Sequence, residues 1–86
     1  MIWSVILTRQ PFTDLLPKSF QAFPNLTGIT LTESNIYKIH ARAFSGLSNL
    51  IWLNLKGNNI TEIEDGVFDE LTQIQRIDLF QNPIEG

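Results

Sequence analysis

The stretch Leu50–Gln73 decides the fold and reads L-I-W-L-N-L-K-G-N-N-I-T-E-I-E-D-G-V-F-D-E-L-T-Q. Counted from its first residue, apolar side chains fall at positions 1, 4, 6, 11, 14, 19 and 22. Leu53 and Leu55 flank Asn54, which is the alternation of a strand. After Asn58 the apolar residues of the pattern come singly, as on a chain that turns back over its own strand. One such unit cannot bury its apolar face alone, so it needs copies of itself.

The same pattern recurs every 24 residues along the chain, with repeats that begin at Ile2, Leu26, Leu50 and Ile74. The seven positions make 25 slots, and all 25 hold apolar residues. At 43% apolar content, chance would produce this roughly once in a billion trials, so the period is real. The predicted core residues are Ile2, Val5, Leu7, Phe12, Leu15, Phe20, Phe23, Leu26, Ile29, Leu31, Ile36, Ile39, Phe44, Leu47, Leu50, Leu53, Leu55, Ile60, Ile63, Phe68, Leu71, Ile74, Ile77, Leu79 and Ile84.

With Asn58 at position 9, the repeat reads L-x-x-L-x-L-x-x-N-x-I-x-x-I with F-x-x-L behind it, which resembles the leucine-rich repeat family. Its length and the D-G-V-F-D-E-L at Asp65–Leu71 resemble animal extracellular members, such as Toll-like receptor ectodomains, Slit-type guidance proteins and small proteoglycans. The resemblance runs from Ile2 to Glu85. It implies an α/β-type solenoid, a right-handed superhelix with short parallel strands on its concave face and irregular or short helical convex segments.

Length and repeats predict a single leucine-rich repeat array over residues 1–86. Its units are 2–25, 26–49, 50–73 and a partial 74–86. Extracellular members usually end in disulfide-bonded caps, and this chain has no cysteine, so we expect no caps. Met1–Leu7 lacks the basic start and small-residue cleavage site of a signal peptide. Natural arrays close their ends with polar repeats, so we expect a chain cut from something longer or paired with another chain.

The net charge is −3, from six basic and nine acidic residues without a basic stripe. This balance argues against nucleic acid and anionic membranes as partners. No apolar run approaches membrane-spanning length, so we expect no membrane contact by this segment. A solvated convex face accounts for the acids of the third repeat, and an acidic docking site is the alternative. These acids are Glu62, Glu64, Asp65, Asp69 and Glu70.

Position 9 is predicted to carry a structural ladder. By the family resemblance, its Asn side chain bonds backbone groups in the turns of adjacent repeats and satisfies buried polar groups. Asn58 and Asn82 have the side chain to do this. Ser34 is shorter and Gln10 is longer, so we expect a weaker ladder in the N-terminal half.

Nothing in the sequence points to catalysis. The only histidine, His40, shows no serine or acid placed beside it as a triad needs, so a surface turn histidine is the simpler interpretation. The carboxylates of Glu64 and Asp65 lie on a convex turn with nothing to form a cleft. There is no phosphate-binding glycine loop and no zinc spacing. We therefore expect no enzyme activity, no cofactor and no metal.

Two N-x-T glycosylation acceptors occur, at Asn25 and Asn59. Asn59 lies in a predicted turn and is the better-exposed candidate. Asn25 precedes the predicted core residue Leu26, so we expect it to be hindered. The two motifs give weak support for a secretory origin.

The predicted binding surface is the strand face that points away from the core, because side chains alternate along a strand. Gly28 leaves room beside Trp52, and Arg76 is placed to lie over the Trp52 ring. Tryptophan beside arginine is the composition of an interface hot spot. Alternatively, Trp52 and Phe80 only cover neighbouring backbone or pack against further repeats. The predicted ligand-binding residues are Trp52, Asn54, Lys56, Arg76, Asp78, Phe80, Thr30 and Ile6.

Together these features predict a protein-interaction module of an extracellular leucine-rich repeat protein. It binds a protein ligand or co-receptor through the concave strand face, in the extracellular space or the secretory pathway, as the resemblance implies. The alternative, from another class, is a structural spacer or truncated fragment without a specific ligand. Its uncapped ends would then associate with one another.

Overall fold

A computed structural model describes residues 4–9, 14–15, 20, 23 and 25–84. The first three repeats each contribute one strand of three to five residues and a second strand of two residues. The fourth repeat contributes one strand of three residues. The strands are β1 (Ser4–Thr8), β2 (Asp14–Leu15), β3 (Gly28–Thr32), β4 (Lys38–Ile39), β5 (Trp52–Asn54), β6 (Glu62–Ile63) and β7 (Arg76–Asp78).

The strands form two parallel sheets, which confirms the parallel strands that the family resemblance implies. The first sheet has the order β1-β3-β5-β7 and the second sheet β2-β4-β6. The register steps by one repeat, so that Ser4, Gly28, Trp52 and Arg76 lie side by side. Each return segment is the crossover connection that a parallel pair requires. The division of residues 1–86 into one uncapped array stays a prediction.

The core lies behind the first sheet, where positions 4 and 6 of each repeat point inward. Ile29, Leu31, Leu53 and Leu55 have no exposed surface. The edge strands β1 and β7 have a strand neighbour on one side only among the described residues, so their inward side chains are half-buried. These are Val5 and Leu7 of β1, Ile77 of β7 and Leu79 directly after β7.

Two predicted core residues are exposed. Phe23 is 57% exposed and Ile84 is 37% exposed. Each lies in the first or last described part of the stack, where fewer neighbouring repeats cover it. The period assigns a residue to the inner surface, but burial also needs a packed repeat on both sides. Ile2, Phe12 and the side chain of Leu15 lie outside the described residues.

A column of phenylalanine rings runs through the return segments. Phe20 and Phe44 stack with centroids 6.1 Å apart and planes 7° apart. Phe44 and Phe68 stack at 6.4 Å and 16°. Phe44 is 1% exposed, whereas Phe68 is half-buried. Phe44 is therefore the central ring of this column.

The return segments are irregular, and none of the described residues is helical. Of the two predicted forms for these segments, the described residues take the irregular one. A helix requires successive residues at negative φ, but Gly46 and Gly66 have φ of 85° and 81°. Isolated turns replace the helix, as in the bonds from Ala43 N to His40 O and from Ser45 N to Arg42 O.

Position 8 takes the left-handed backbone conformation in all four repeats. The residues and their φ values are Arg9 (57°), Glu33 (54°), Gly57 (75°) and Gln81 (59°). In the first three repeats the N–H at this position donates to the position-7 carbonyl of the next repeat, at 3.0–3.2 Å. The conformation turns each chain out of the first sheet. Only glycine adopts this conformation without steric cost, yet glycine occupies position 8 in the third repeat alone, as Gly57.

Asn58 occupies the turn between two repeats and is 8% exposed. Its Oδ1 accepts hydrogen bonds from the backbone N of Ser34 at 2.9 Å and of Ile36 at 3.3 Å. Its Nδ2 donates to the carbonyls of Leu31 at 2.7 Å and Leu55 at 2.9 Å. One side chain thus satisfies four backbone groups and joins the second repeat to the third.

Asn82 repeats this arrangement one unit further along. Its Oδ1 accepts from Ile60 N at 3.0 Å. Its Nδ2 donates to the carbonyls of Leu55 at 2.9 Å and Leu79 at 3.1 Å. Asn82 is half-buried, so water competes for these groups more than at the second-to-third repeat junction.

Ser34 takes position 9 in the second repeat. Its Oγ donates to Thr32 O at 3.1 Å, a bond within its own turn. Gln10 lies outside the described residues. The expected weakness of the ladder in the N-terminal half stays a prediction.

Candidate protein-binding face

The side chains at positions 3, 5 and 7 of the first sheet point away from the core and form one surface, which we call the strand face. Exposed or half-buried residues alternate with more deeply buried ones along β3 and β5. All eight predicted ligand-binding residues lie on it. They are Trp52, Asn54, Lys56, Arg76, Asp78, Phe80, Thr30 and Ile6.

Trp52 and Arg76 form a stacked pair on the strand face. They are register partners in β5 and β7, and the guanidinium carbon lies 4.7 Å from the ring centroid. An exposed cation–π pair of this kind contributes about 0.5–1 kcal/mol. A planar guanidinium that rests on a ring keeps its edge N–H donors available to a partner.

A gap flanks Trp52 on the side opposite Arg76. Gly28 is the register partner of Trp52 in β3. A Cβ added at Gly28 would lie 4.0 Å from Trp52 Cδ1 and 3.5 Å from Ser4 Cβ, so the space fits one methyl group. Of the two register partners, only Arg76 packs a large side chain against the Trp52 ring.

Two predicted ligand-binding residues are partly engaged in their own turns. Asn54 Oδ1 accepts from the backbone N of Lys56 at 3.0 Å, and Asp78 Oδ1 accepts from the backbone N of Phe80 at 2.9 Å. Short polar side chains commonly bond backbone two residues on. Asn54 keeps its amide NH2 and Asp78 keeps its second oxygen for a ligand.

The eight residues span the whole width of the first sheet. Ile6 is 71% exposed on β1 and Phe80 is 69% exposed just after β7, so they lie at opposite edges of the first sheet. Thr30 is half-buried between the register partners Ile6 and Asn54. The register thus joins Ile6 through Thr30 to Asn54 and Asp78, beside the group around Trp52.

Two cations of the strand face have no carboxylate partner among the described residues. Within the described part of the chain, the ion pairs are Arg9–Glu33, Lys38–Glu62 and the contact of His40 with Glu64. None of these involves Lys56 or Arg76. Both cations therefore remain available for a carboxylate of a partner.

A family model described as leucine rich repeat matches residues 24–84. The chain belongs to the leucine-rich repeat family. Comparison with curated proteins gives no match. Leucine-rich repeat domains are in general protein-interaction modules and typically not catalytic. The matched range covers β3–β7, and β1 of this leucine-rich repeat chain extends the same register by one strand.

His40 has an acidic neighbour that the sequence analysis missed. Glu64 holds the same position in the next repeat, with its Oε1 3.8 Å from His40 Nδ1. The same oxygen accepts from Ala41 N at 2.7 Å, so the carboxylate closes a turn between repeats. The sequence does contain a signal for this contact, because His40 and Glu64 hold the same position in consecutive repeats. Among the described residues, no group of three or more His, Cys, Asp or Glu is placed to hold a metal ion.

Both sequon asparagines of the leucine-rich repeat chain are exposed. Asn59 is exposed as expected, and Asn25 is exposed although Leu26 after it is buried. The exposure of Asn25 therefore gives no sign of the expected hindrance. None of the described residues forms a helix long and apolar enough to cross a bilayer.

Proposed function

We propose that this chain is a ligand-recognition module of an extracellular leucine-rich repeat protein, and that the strand face is its concave binding surface. The observation that carries the proposal is the Arg76 guanidinium 4.7 Å above the Trp52 ring on that face. Tryptophan and arginine are the residue types most enriched at interface hot spots. Their pairing here presents a preformed anchor.

The surroundings of the pair fit a small hot spot with a polar rim. Arg76 stacks on one side of the Trp52 ring, so less side-chain entropy is lost when a ligand orders that ring. Asn54 and Asp78 lie two residues further along the same two strands and keep one polar group each. An apolar side chain against Trp52, with a carboxylate on Arg76, is the ligand chemistry that this arrangement favours.

Selection from a display library of secreted proteins and ectodomains provides the test. We expect selected binders to lose roughly 30-fold or more in affinity against Trp52→Ala, because hot-spot truncations cost about 2 kcal/mol or more. Arg76→Ala should weaken the same binders. Tyr37→Ala is the matched control, since Tyr37 is an aromatic residue 42% exposed ahead of β4 in the second sheet.

Binders that tolerate Trp52→Ala but lose affinity with Tyr37→Ala place recognition elsewhere and contradict the proposal. Circular dichroism melts of all variants separate lost binding from lost folding. Trp52 is only half-buried, so its replacement should leave the fold intact.

We infer a secretory location from the resemblance and from the two exposed sequons. Expression behind a signal sequence in mammalian cells should give a form that shifts in mass on peptide-N-glycosidase treatment. Asn59→Gln should remove one glycan, with Asn25→Gln as its counterpart. An unshifted, correctly folded and secreted chain would count against use of both sites.

The alternative proposal is a spacer that associates through its N-terminal edge. Its support is Ile6, which is 71% exposed on an edge strand where Val5 and Leu7 are half-buried. Light scattering over a dilution series distinguishes it. Growth in mass with concentration that Ile6→Lys abolishes favours the spacer, whereas a monomer at high micromolar concentration excludes it.

A further inference from the structure

An aromatic residue of the second repeat lies beside the glycosylation acceptor of the third. The second repeat reads N-I-Y at Asn35–Tyr37, and the third reads N-I-T at Asn59–Thr61. Because equal positions of consecutive repeats are adjacent, Tyr37 is placed next to the threonine of the acceptor motif. In the first sheet these two repeats have β1 on one side and β7 on the other, so described chain flanks them on both sides.

Backbone hydrogen bonds hold Tyr37 against the acceptor motif. Asn59 N donates to Ile36 O at 2.9 Å, and Thr61 N donates to Tyr37 O at 3.0 Å. Two amides of the motif therefore bond to the two carbonyls that flank the α-carbon of Tyr37. The fold thus fixes the backbone of the acceptor asparagine next to the backbone of the tyrosine.

The side chains of this site face solvent together. Ile36 and Ile60 have no exposed surface. Tyr37, Asn59 and Thr61, which adjoin these two isoleucines in the chain, are exposed. Successive side chains of an extended chain point to opposite faces, so burial of the isoleucines turns their neighbours outward. At 42% exposure, the Tyr37 ring keeps a large accessible surface beside the acceptor.

The chemistry of this ring suits the first sugar of an N-linked glycan. That sugar is N-acetylglucosamine, which presents axial C–H groups on its ring faces and a methyl group on its acetamide. A tyrosine combines an apolar ring with a polar tip, so it can cover these C–H groups while its hydroxyl stays in water. Such packing removes apolar surface of both partners from water.

We propose that Tyr37 is the packing surface for the first N-acetylglucosamine of a glycan on Asn59, so that this sugar bridges the second and third repeats. This role rests on the proposed function, which gives the chain a secretory location. The glycan comes from a lipid diphosphate donor. The bond between the sugar C1 and the diphosphate breaks, C1 bonds to Asn59 Nδ2, and Nδ2 loses one proton.

Thermal unfolding of a singly glycosylated chain tests this role. Asn25→Gln in every form leaves Asn59 as the single N-x-T acceptor. Secretion from mammalian cells that make high-mannose glycans, followed by endoglycosidase H, leaves one N-acetylglucosamine on the protein. The same chain made in bacteria carries no sugar. We expect the sugar to raise Tm by about 2–6 °C, the size expected for one modest contact in a small domain.

Substitutions of Tyr37 separate stacking from any general effect of a sugar. Tyr37→Phe keeps the ring and should keep the rise in Tm, whereas Tyr37→Leu should lose most of it. Phe80→Leu is the matched control, because Phe80 is an aromatic residue 69% exposed on the strand face. Each variant is compared with its own sugar-free form, so the effect of the substitution on stability cancels. Circular dichroism confirms that each variant folds.

Nuclear magnetic resonance tests the contact without any change at Tyr37. The acetyl methyl protons of the sugar should lie upfield of their position in a free glycosylated asparagine, because they lie over an aromatic ring. They should also give nuclear Overhauser effects to the Tyr37 ring protons.

The outcomes distinguish this role from the proposed function. If Tyr37→Leu leaves the rise in Tm unchanged, or if the acetyl methyl protons stay at the free position, the role of Tyr37 is overturned while the use of Asn59 stands. If the chain is secreted and folded with Asn59 unmodified, the glycan of the proposed function is contradicted and the role of Tyr37 falls with it.

Discussion

Replacing Asn58 with alanine is expected to destabilise the chain more than any other polar substitution in the described residues. The carboxamide holds two backbone N–H groups, of Ser34 and Ile36, and two carbonyls, of Leu31 and Leu55. All four bonds are buried, and three of them join the second repeat to the third. Alanine offers none of them a partner.

The magnitude follows from these four groups. Leu55 O keeps its bond from Asn82 Nδ2, so three buried backbone groups lose their partner, and at about 1–3 kcal/mol each the loss would be about 3–9 kcal/mol. The vacated space is polar and takes up water, which restores part of the bonding. We therefore expect a loss of about 3–5 kcal/mol. At about 0.05–0.15 kcal/mol per residue, an 86-residue chain holds about 4–13 kcal/mol in total.

Urea unfolding followed by circular dichroism and tryptophan fluorescence measures the effect. Ser34→Ala is the control, because it removes the Oγ bond to Thr32 O and should cost about 1 kcal/mol. Asn82→Ala should fall between the two because Asn82 is half-buried. Equal unfolding midpoints for Asn58→Ala and Ser34→Ala would refute the reasoning.

Three further sets of substitutions test the phenylalanine column, the Trp52–Arg76 pair and the turn at Gly66. Phe44→Ala should cost about 3–5 kcal/mol and Phe68→Ala less, because Phe44 is buried between two rings; equal losses in urea would contradict this order. A double-mutant cycle on Trp52→Ala and Arg76→Ala should give a coupling of about 0.5–1 kcal/mol, and zero coupling would leave the stack without energetic effect. Gly66→Ala should lower stability by about 1–2 kcal/mol, because φ is 81° there and the new Cβ would lie 3.3 Å from an Asp69 oxygen; an unchanged melting temperature would show that the turn relaxes.

The sequence by itself determined which residues are neighbours. A fixed 24-residue period makes equal positions adjacent, so Arg76 had to follow Trp52 across the first sheet and Phe44 had to lie between two other phenylalanines. Strand alternation then assigned Leu53 and Leu55 to the core and Asn54 to the strand face. These conclusions need only the 24-residue period and the alternation of side chains along a strand, and both can be read from the sequence.

Burial at the ends of the stack required the tertiary structure. Phe23 and Ile84 carry the same pattern as Leu47 and Ile60, yet the first two are exposed and the last two have no exposed surface. The difference is the number of packed neighbours, which no single repeat encodes.

The tertiary structure also decided what the polar side chains do. Asn54 and Asp78 have the residue types of ligand contacts, but backbone N–H groups two residues on compete for their oxygens. The second sheet was likewise missed, although a charged–aliphatic pair recurs at Asp14–Leu15, Lys38–Ile39 and Glu62–Ile63. Two residues are too few to show a strand period, so only the stacking of repeats, which brings these pairs within hydrogen-bonding distance, makes them strands.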